Sequence, residues 1–208
     1  MLSKQTLKLI FSLFFTLHLS LSFGQTQEYA LSRQDSALIH KYLNKAAGHE
    51  NNQNLKEASR FLNDAAMIYW EHNHYDQSIK YFKKSLAFNK KLANENGIAM
   101  INSNLALINT DKKNYTEALR YFKNTLAVRK SNNEPIGIIS AHINISVVLN
   151  NLEKHDEAVG HLLEALNEAR EINDPDQMRA CYGMLSETYQ KAGNVEKSLY
   201  YYLVEKMI

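Results

Sequence analysis

Residues Ile101–Lys130, INSNLALINTDKKNYTEALRYFKNTLAVRK, read as two helices joined by a short polar turn. Leu105 and Ala106 mark the first helix. Tyr115, Ala118, Leu119 and Phe122 mark the second, at spacings of three and four that place them on one helical face. Shifted by forty residues either way, the same pattern returns.

Tyr75, Tyr115, His155 and Val195 open the second helices. Three residues on come small Ser78, Ala118, Ala158 and Ser198, then apolar Ile79, Leu119, Val159 and Leu199, then bulky Phe82, Phe122, Leu162 and Tyr202. In the first helices Ala65, Leu105, Ile145 and Leu185 are followed by small Ala66, Ala106, Ser146 and Ser186. Small residues let two backbones approach and bulky ones fill the space beside them. Neither helix of a pair can hide its apolar face alone, so the units must stack. Pro135 and Pro175, also forty apart, fall between repeats. Asn96-Gly97, Asn132-Asn133 and Asn173-Asp174-Pro175 read as stops.

The expected fold class is all-α, a solenoid of stacked antiparallel helix pairs over residues 56–208. The pairs are Lys56–His72 with Tyr75–Ala93, Ile98–Thr110 with Tyr115–Ser131, Ile136–Asn150 with His155–Ile172, and Gln177–Ala192 with Val195–Met207. A single helix, Asp35–Ala47, precedes them and covers the first pair, with a loop from Gly48 to Asn54. Residues 25–34 are polar and expected to fray. Residues 1–24 carry Lys4, Lys8, the apolar run Leu9–Phe23 and a small-residue site at Ser22 and Gly24. That is the pattern of a cleaved signal peptide, and it places the chain in the periplasm or outside the cell. The other reading is a retained membrane anchor.

Removing Lys4 and Lys8 leaves 22 basic against 22 acidic residues. A balanced chain lacks the positive excess that nucleic-acid or anionic-membrane binding needs. Cys181 is the single cysteine, so packing and not a disulfide holds the fold.

Ala66 with Tyr69, then Tyr75, Ser78, Phe82 and Ser85, resembles the tetratricopeptide repeat, as does Leu105-Ala106 with Tyr115, Ala118 and Phe122. The usual unit of that family has about 34 residues; the forty-residue period resembles its longer-unit subclass. Asn109 and Leu149 replace a family tyrosine, and Lys113 and Glu153 stand where glycine often occurs. The resemblance implies a right-handed superhelix whose concave face, lined by first helices, holds a peptide. The residues it places there are Asn63, Asp64, Met67, Trp70, Asn104, Leu107, Asn144, Val147 and Glu187. Asn104 and Asn144 share a phase and either bond a peptide backbone or brace neighbouring helices. Trp70 either anchors a partner with Met67 or packs between repeats.

No cofactor is expected, and no phosphate loop or nucleophile motif is present in the sequence. His72-Asn73-His74-Tyr75-Asp76 is the most metal-like cluster, yet it lies in a turn where polar residues belong. At the last helix Tyr200, Leu203, Val204 and Met207 add a stripe to one already apolar through Leu199 and Tyr202. A terminal repeat needs a polar outer face. This end is therefore expected to dock on a second copy, giving a homodimer through the C-terminal helix, or on another protein; otherwise the chain is truncated.

The function expected is a non-catalytic scaffold that binds a peptide or partner protein. The alternative is a sensor module of a bacterial signalling system, stand-alone or truncated before a membrane span and an output domain.

Overall fold

A computed structural model of the chain describes residues 29–208. The expected signal segment lies outside the described residues. Those residues form α1 Arg33–Asn51, α2 Leu55–Glu71, α3 Tyr75–Lys91, α4 Glu95–Asp111, α5 Tyr115–Ser131, α6 Pro135–Asn151, α7 His155–Glu171, α8 Pro175–Lys191 and α9 Val195–Met207.

Each helix from α1 to α8 stops at the same kind of turn. From α2 to α8 each has 17 residues, and three residues separate each successive pair. The underlying repeat is one helix plus its turn, and the forty-residue period is two of these. The middle turn residue has positive φ throughout: Gln53, Asn73, Ala93, Lys113, Asn133, Glu153, Asn173 and Gly193. Its N–H donates three residues back, and the next N–H donates five back. Asn73 reaches Trp70 O and His74 reaches Tyr69 O, both at 2.8 Å. Lys113 reaches Thr110 O at 2.9 Å and Asn114 reaches Asn109 O at 2.7 Å. This satisfies carbonyls that a helix end otherwise leaves without partners.

The next residue begins the following helix. Asn54, Asn94, Asp174 and Asn194 each accept a hydrogen bond from the backbone N–H three residues on. Pro135 and Pro175 are the first residues of α6 and α8, where a missing N–H costs nothing. Asn96-Gly97 is not a stop. It lies in the first turn of α4, with Asn94 capping Gly97.

At the N-terminal end α1 is longer than the expected Asp35–Ala47. Ser32 caps it through the N–H of Asp35. Its last turn is held by His49 stacked on Phe61 and by Glu50 paired with Lys84 at 2.6 Å, so the Gly48–Asn54 loop shrinks to three residues. Ahead of α1, the Tyr29 N–H donates to His72 O at 3.0 Å.

Each helix packs mainly on its neighbours in sequence. Ala66, Ala106 and Ser146 on the first helices, and Ser78, Ala118 and Ala158 on the second, are fully buried where the two backbones meet. Ser78 donates to Ala66 O across that contact at 2.8 Å. Phe82, Phe122 and Leu162 are buried between one unit and the next.

Two glycines are required by close approach. A Cβ on Gly97 would lie 1.9 Å from Asn89 Oδ1, and one on Gly137 would lie 2.6 Å from Arg129 Cδ. Asn89 is buried, donates to Ser59 Oγ at 2.6 Å and accepts from Asn94 at 2.7 Å, so it cannot step aside without breaking that chain of bonds.

Two opposite outcomes follow in thermal unfolding monitored by circular dichroism. Ala93→Gly and Lys113→Gly each relieve a left-handed Cβ and are expected to add about 0.5–1 kcal/mol, or roughly 2–3 °C in Tm. Gly97→Ala gains about 1 kcal/mol of helix propensity. It loses more, about 1–3 kcal/mol for each buried polar group stranded when Asn89 is displaced, so Tm should fall.

Candidate functional site

The first helices of successive units bond directly to one another. Asn104 Nδ2 donates to Asn63 Oδ1 at 3.4 Å, Trp70 Nε1 to Asp111 Oδ2 at 2.8 Å, and Asn150 Nδ2 to Thr188 Oγ1 at 2.8 Å. Among the described residues no side-chain hydrogen bond links α3, α5, α7 and α9 to one another. The first-helix side is therefore the shorter, inner side of the array.

The expected groove residues divide into two groups. Most of the polar ones are already engaged. Asp64 pairs with Arg60 at 3.4 Å, Glu187 with Lys191 at 2.7 Å, and Asn63 with Asn104. Trp70 is half-buried, its ring edge-on to Phe82 and its N–H held by Asp111, so it joins the first unit to the second. Of the apolar ones, Leu107 and Val147 stay open and Met67 packs against the core. Met67 is half-buried, while Leu107 and Val147 are each 37% exposed. Forty residues apart, these three form an apolar row across α2, α4 and α6, and Glu187 takes the same position on α8.

Asn104 and Asn144 are not equal rungs. In the second unit the place of Asn63 is taken by Ser103, whose hydroxyl lies 3.3 Å from Thr125 Oγ1, and no counterpart of the Asn63–Asn104 bond reaches Asn144. Asn144 instead lines an open cleft of about 610 Å³ with Ser103 of α4, Thr125 and Arg129 of α5, and Ile136 and Ser140 of α6. Arg129 is held there by Glu134, with Asn96 at 3.3 Å, so its charge is already compensated. Sequence reasoning missed Met100, Ile136, Ser103 and Ser140. Met100 and Ser140 sit seven residues before Leu107 and Val147, two helical turns away on the same face, a signal that was readable.

At the other candidate site, Val204 does not share a face with Tyr200, Leu203 and Met207. It packs inward with Tyr201 against the core of the last unit, while those three are exposed. Leu199 and Tyr202, expected on the inner apolar side, are exposed as well. The metal-like cluster separates: His72 pairs with Asp35 at 3.2 Å, while His74 Nε2 lies 3.0 Å from Tyr29 O. Burial pushes the Cys181 thiol up to about 11, which leaves it an unreactive core group.

One titratable pair was not singled out by its pattern. His142 of α6 and His161 of α7 meet Nδ1 to Nδ1 at 2.9 Å. Other units place Leu62 with Tyr81, Asn102 with Tyr121, and Tyr182 with Tyr201 at these positions. His142 is 3% exposed. Burial, then His161 and then Lys130, lowers its pKa to about 4. His161 is also lowered, by burial and by Lys123 and Lys130, against the opposing pull of Glu157 and Glu164.

Two stretches match family models of the tetratricopeptide repeat, residues 59–92 and 99–134. These two stretches are thus tetratricopeptide repeats, set in an all-α solenoid of helix pairs. Solved structures share the fold at low identity. One is BtubC from P. vanneervenii, with TM-score 0.63, 17% identity, and cover of 83% of this chain and 80% of that one. Another is a putative kinesin light chain with TPR-like repeats from Podosopora anserina, at 0.61, 13%, 85% and 96%. A third is a Rap protein solved in complex with Competence and Sporulation Factor, at 0.59, 15%, 85% and 55%. No curated protein matches the chain in sequence.

Because the fold holds His142 below its ordinary value of 6.5, its neutral form stabilises the third unit above that pH. The contribution is lost as pH falls from about 6.5 toward 4, on the order of 2 kcal/mol by pH 5. The double variant His142→Asn/His161→Tyr copies the second unit's pair. Melting curves at pH 7 and pH 5 should show the parent losing roughly 5 °C more than the variant. Equal losses would count against the pair as the acid-sensitive element.

Proposed function

We propose that the chain is an exported, non-catalytic interaction scaffold whose inner face holds a peptide segment of a partner protein. The observation that carries this reading is the open apolar pair Leu107 and Val147, continued at the partly buried Met67, beside the unpaired amide of Asn144. Half-exposed apolar side chains at regular spacing offer binding area. An amide with neither bond made can give and accept one hydrogen bond to a peptide backbone. The compensated charge of Arg129 weighs against capture of a bare carboxylate in the cleft. Export is supported by the charged, apolar and small-residue pattern of residues 1–24.

A signalling form of the same reading makes the bound segment a soluble factor and the chain a sensor. It draws support from the Rap protein, whose similar fold was solved holding Competence and Sporulation Factor.

Peptide-display selection against the chain tests the groove. Selected peptides are expected to bind at micromolar Kd or tighter. Leu107→Glu/Val147→Glu should weaken them at least tenfold with Tm nearly unchanged, since both side chains are solvent-facing. Asn144→Ala should weaken binding by roughly three- to tenfold, the worth of about one hydrogen bond. Binding indifferent to both changes would place the peptide elsewhere.

A further inference from the structure

α9 exposes one position that every earlier unit buries, and it carries apolar side chains at positions where earlier units expose Lys80, Arg120, Lys83 and Lys123. Tyr202 stands where Phe82, Phe122 and Leu162 stand in α3, α5 and α7. Those three are covered by the following first helix, with Phe82 0% exposed, whereas Tyr202 is 48% exposed. Val195, Leu199, Tyr200, Leu203 and Met207 are exposed around it. On a helix of 3.6 residues per turn these six side chains span roughly half the circumference, opposite Tyr201 and Val204.

The first and last described helices are unlike. The outward side of α1 is polar, with Ser36, His40, Lys41, Asn44 and Lys45 exposed. Head-to-tail stacking of copies would press these against the apolar face of α9 and desolvate two lysines. A self-complementary contact of α9 with α9 avoids this.

The sequence of α9, VEKSLYYYLVEKM, is its own complement when reversed about Tyr201. Val195 then lies level with Met207, Leu199 with Leu203, and Tyr200 with Tyr202. Glu196 lies level with Lys206, an opposite charge. We propose that two copies of the chain pair through α9, antiparallel about a two-fold axis at the level of Tyr201. Leu199 and Leu203 form the centre of the contact. Glu196 meets Lys206 of the partner subunit at each rim, twice by symmetry. Lys206 now bonds Glu205 at 2.9 Å, an exposed pair that contributes little and is readily exchanged. The proposal rests on α9 alone and is independent of the groove reading. A helix of 13 residues is about 20 Å long and offers less than the ~800 Å² per partner of a standard interface. The pairing is accordingly weak, with Kd of about 10–100 µM.

Sedimentation equilibrium of the full chain up to about 200 µM, with circular dichroism as the check on folding, tests it. The parent should dimerise, and Leu199→Glu/Leu203→Glu should stay monomeric at unchanged helicity. Glu196→Lys alone and Lys206→Glu alone should each raise Kd about tenfold, because both rim pairs become repulsive. The double swap Glu196→Lys/Lys206→Glu should return Kd to within about threefold of the parent. The charge swaps report register and direction of pairing even if the leucine variant fails to fold. A parent monomeric at 200 µM, a dimer that survives the leucine changes, or a double swap no better than the singles overturns the proposal.

Discussion

The left-handed residue in each interhelical turn sets the geometry on which the rest of the protein depends. It lets two N–H groups fold back onto the last carbonyls of one helix while the next residue starts the following one. With the turn held at three residues, helices of 17 residues return in the same phase each time. Small residues then meet small residues, and one unit's aromatic side chain meets the next unit's first helix. A single extra residue within one helix would rotate the rest of that helix by about 100° and carry its buried row out of the core. Seven of the eight turn residues are not glycine, so tertiary packing holds them in a conformation that costs about 1 kcal/mol or more apiece.

Stacking in fixed phase gives the array two different surfaces. The outer helices expose charged residues that pair locally, as Arg120 does with Glu117 at 2.6 Å. The inner helices approach one another, and their exposed side chains include the apolar Leu107 and Val147 as well as charged pairs such as Glu187 with Lys191. The first and last described helices differ from those between them and from each other. α1 covers the first pair with one apolar side, carrying Ile39 and Ala46, and turns a polar side outward. α9 has an inner apolar side and an outer one too.

Much of this was legible as side-chain rows. Small, bulky and apolar residues at forty-residue spacing identified the helix pairs, and the Tyr115–Ser131 and Val195–Met207 bounds match the structure. The starts of the first helices were read late. α4 and α8 start three and two residues ahead of the expected Ile98 and Gln177, because Glu95-Asn96 and Pro175-Asp176 carry no apolar signal. The twenty-residue unit was hidden because a positive φ leaves no mark when its residue is Ala, Lys or Glu instead of Gly. In the groove, Met67, Leu107 and Val147 could be aligned from spacing. The inequality of Asn104 and Asn144 could not, because it turns on which residue takes the matching place on the preceding first helix: Asn63 for one, Ser103 for the other.

By itself the sequence determined an all-helical repeat, its phase and its buried rows, because burial of apolar faces at helical spacing depends only on order along the chain. The tertiary structure decided which polar groups are already satisfied and which apolar faces remain uncovered. Trp70 is bonded to Asp111, the His142 and His161 rings meet, and Val204 turns inward while Tyr202 is left bare. Each of these depends on the distance between residues twenty or forty positions apart, and that distance exists only once the units have stacked.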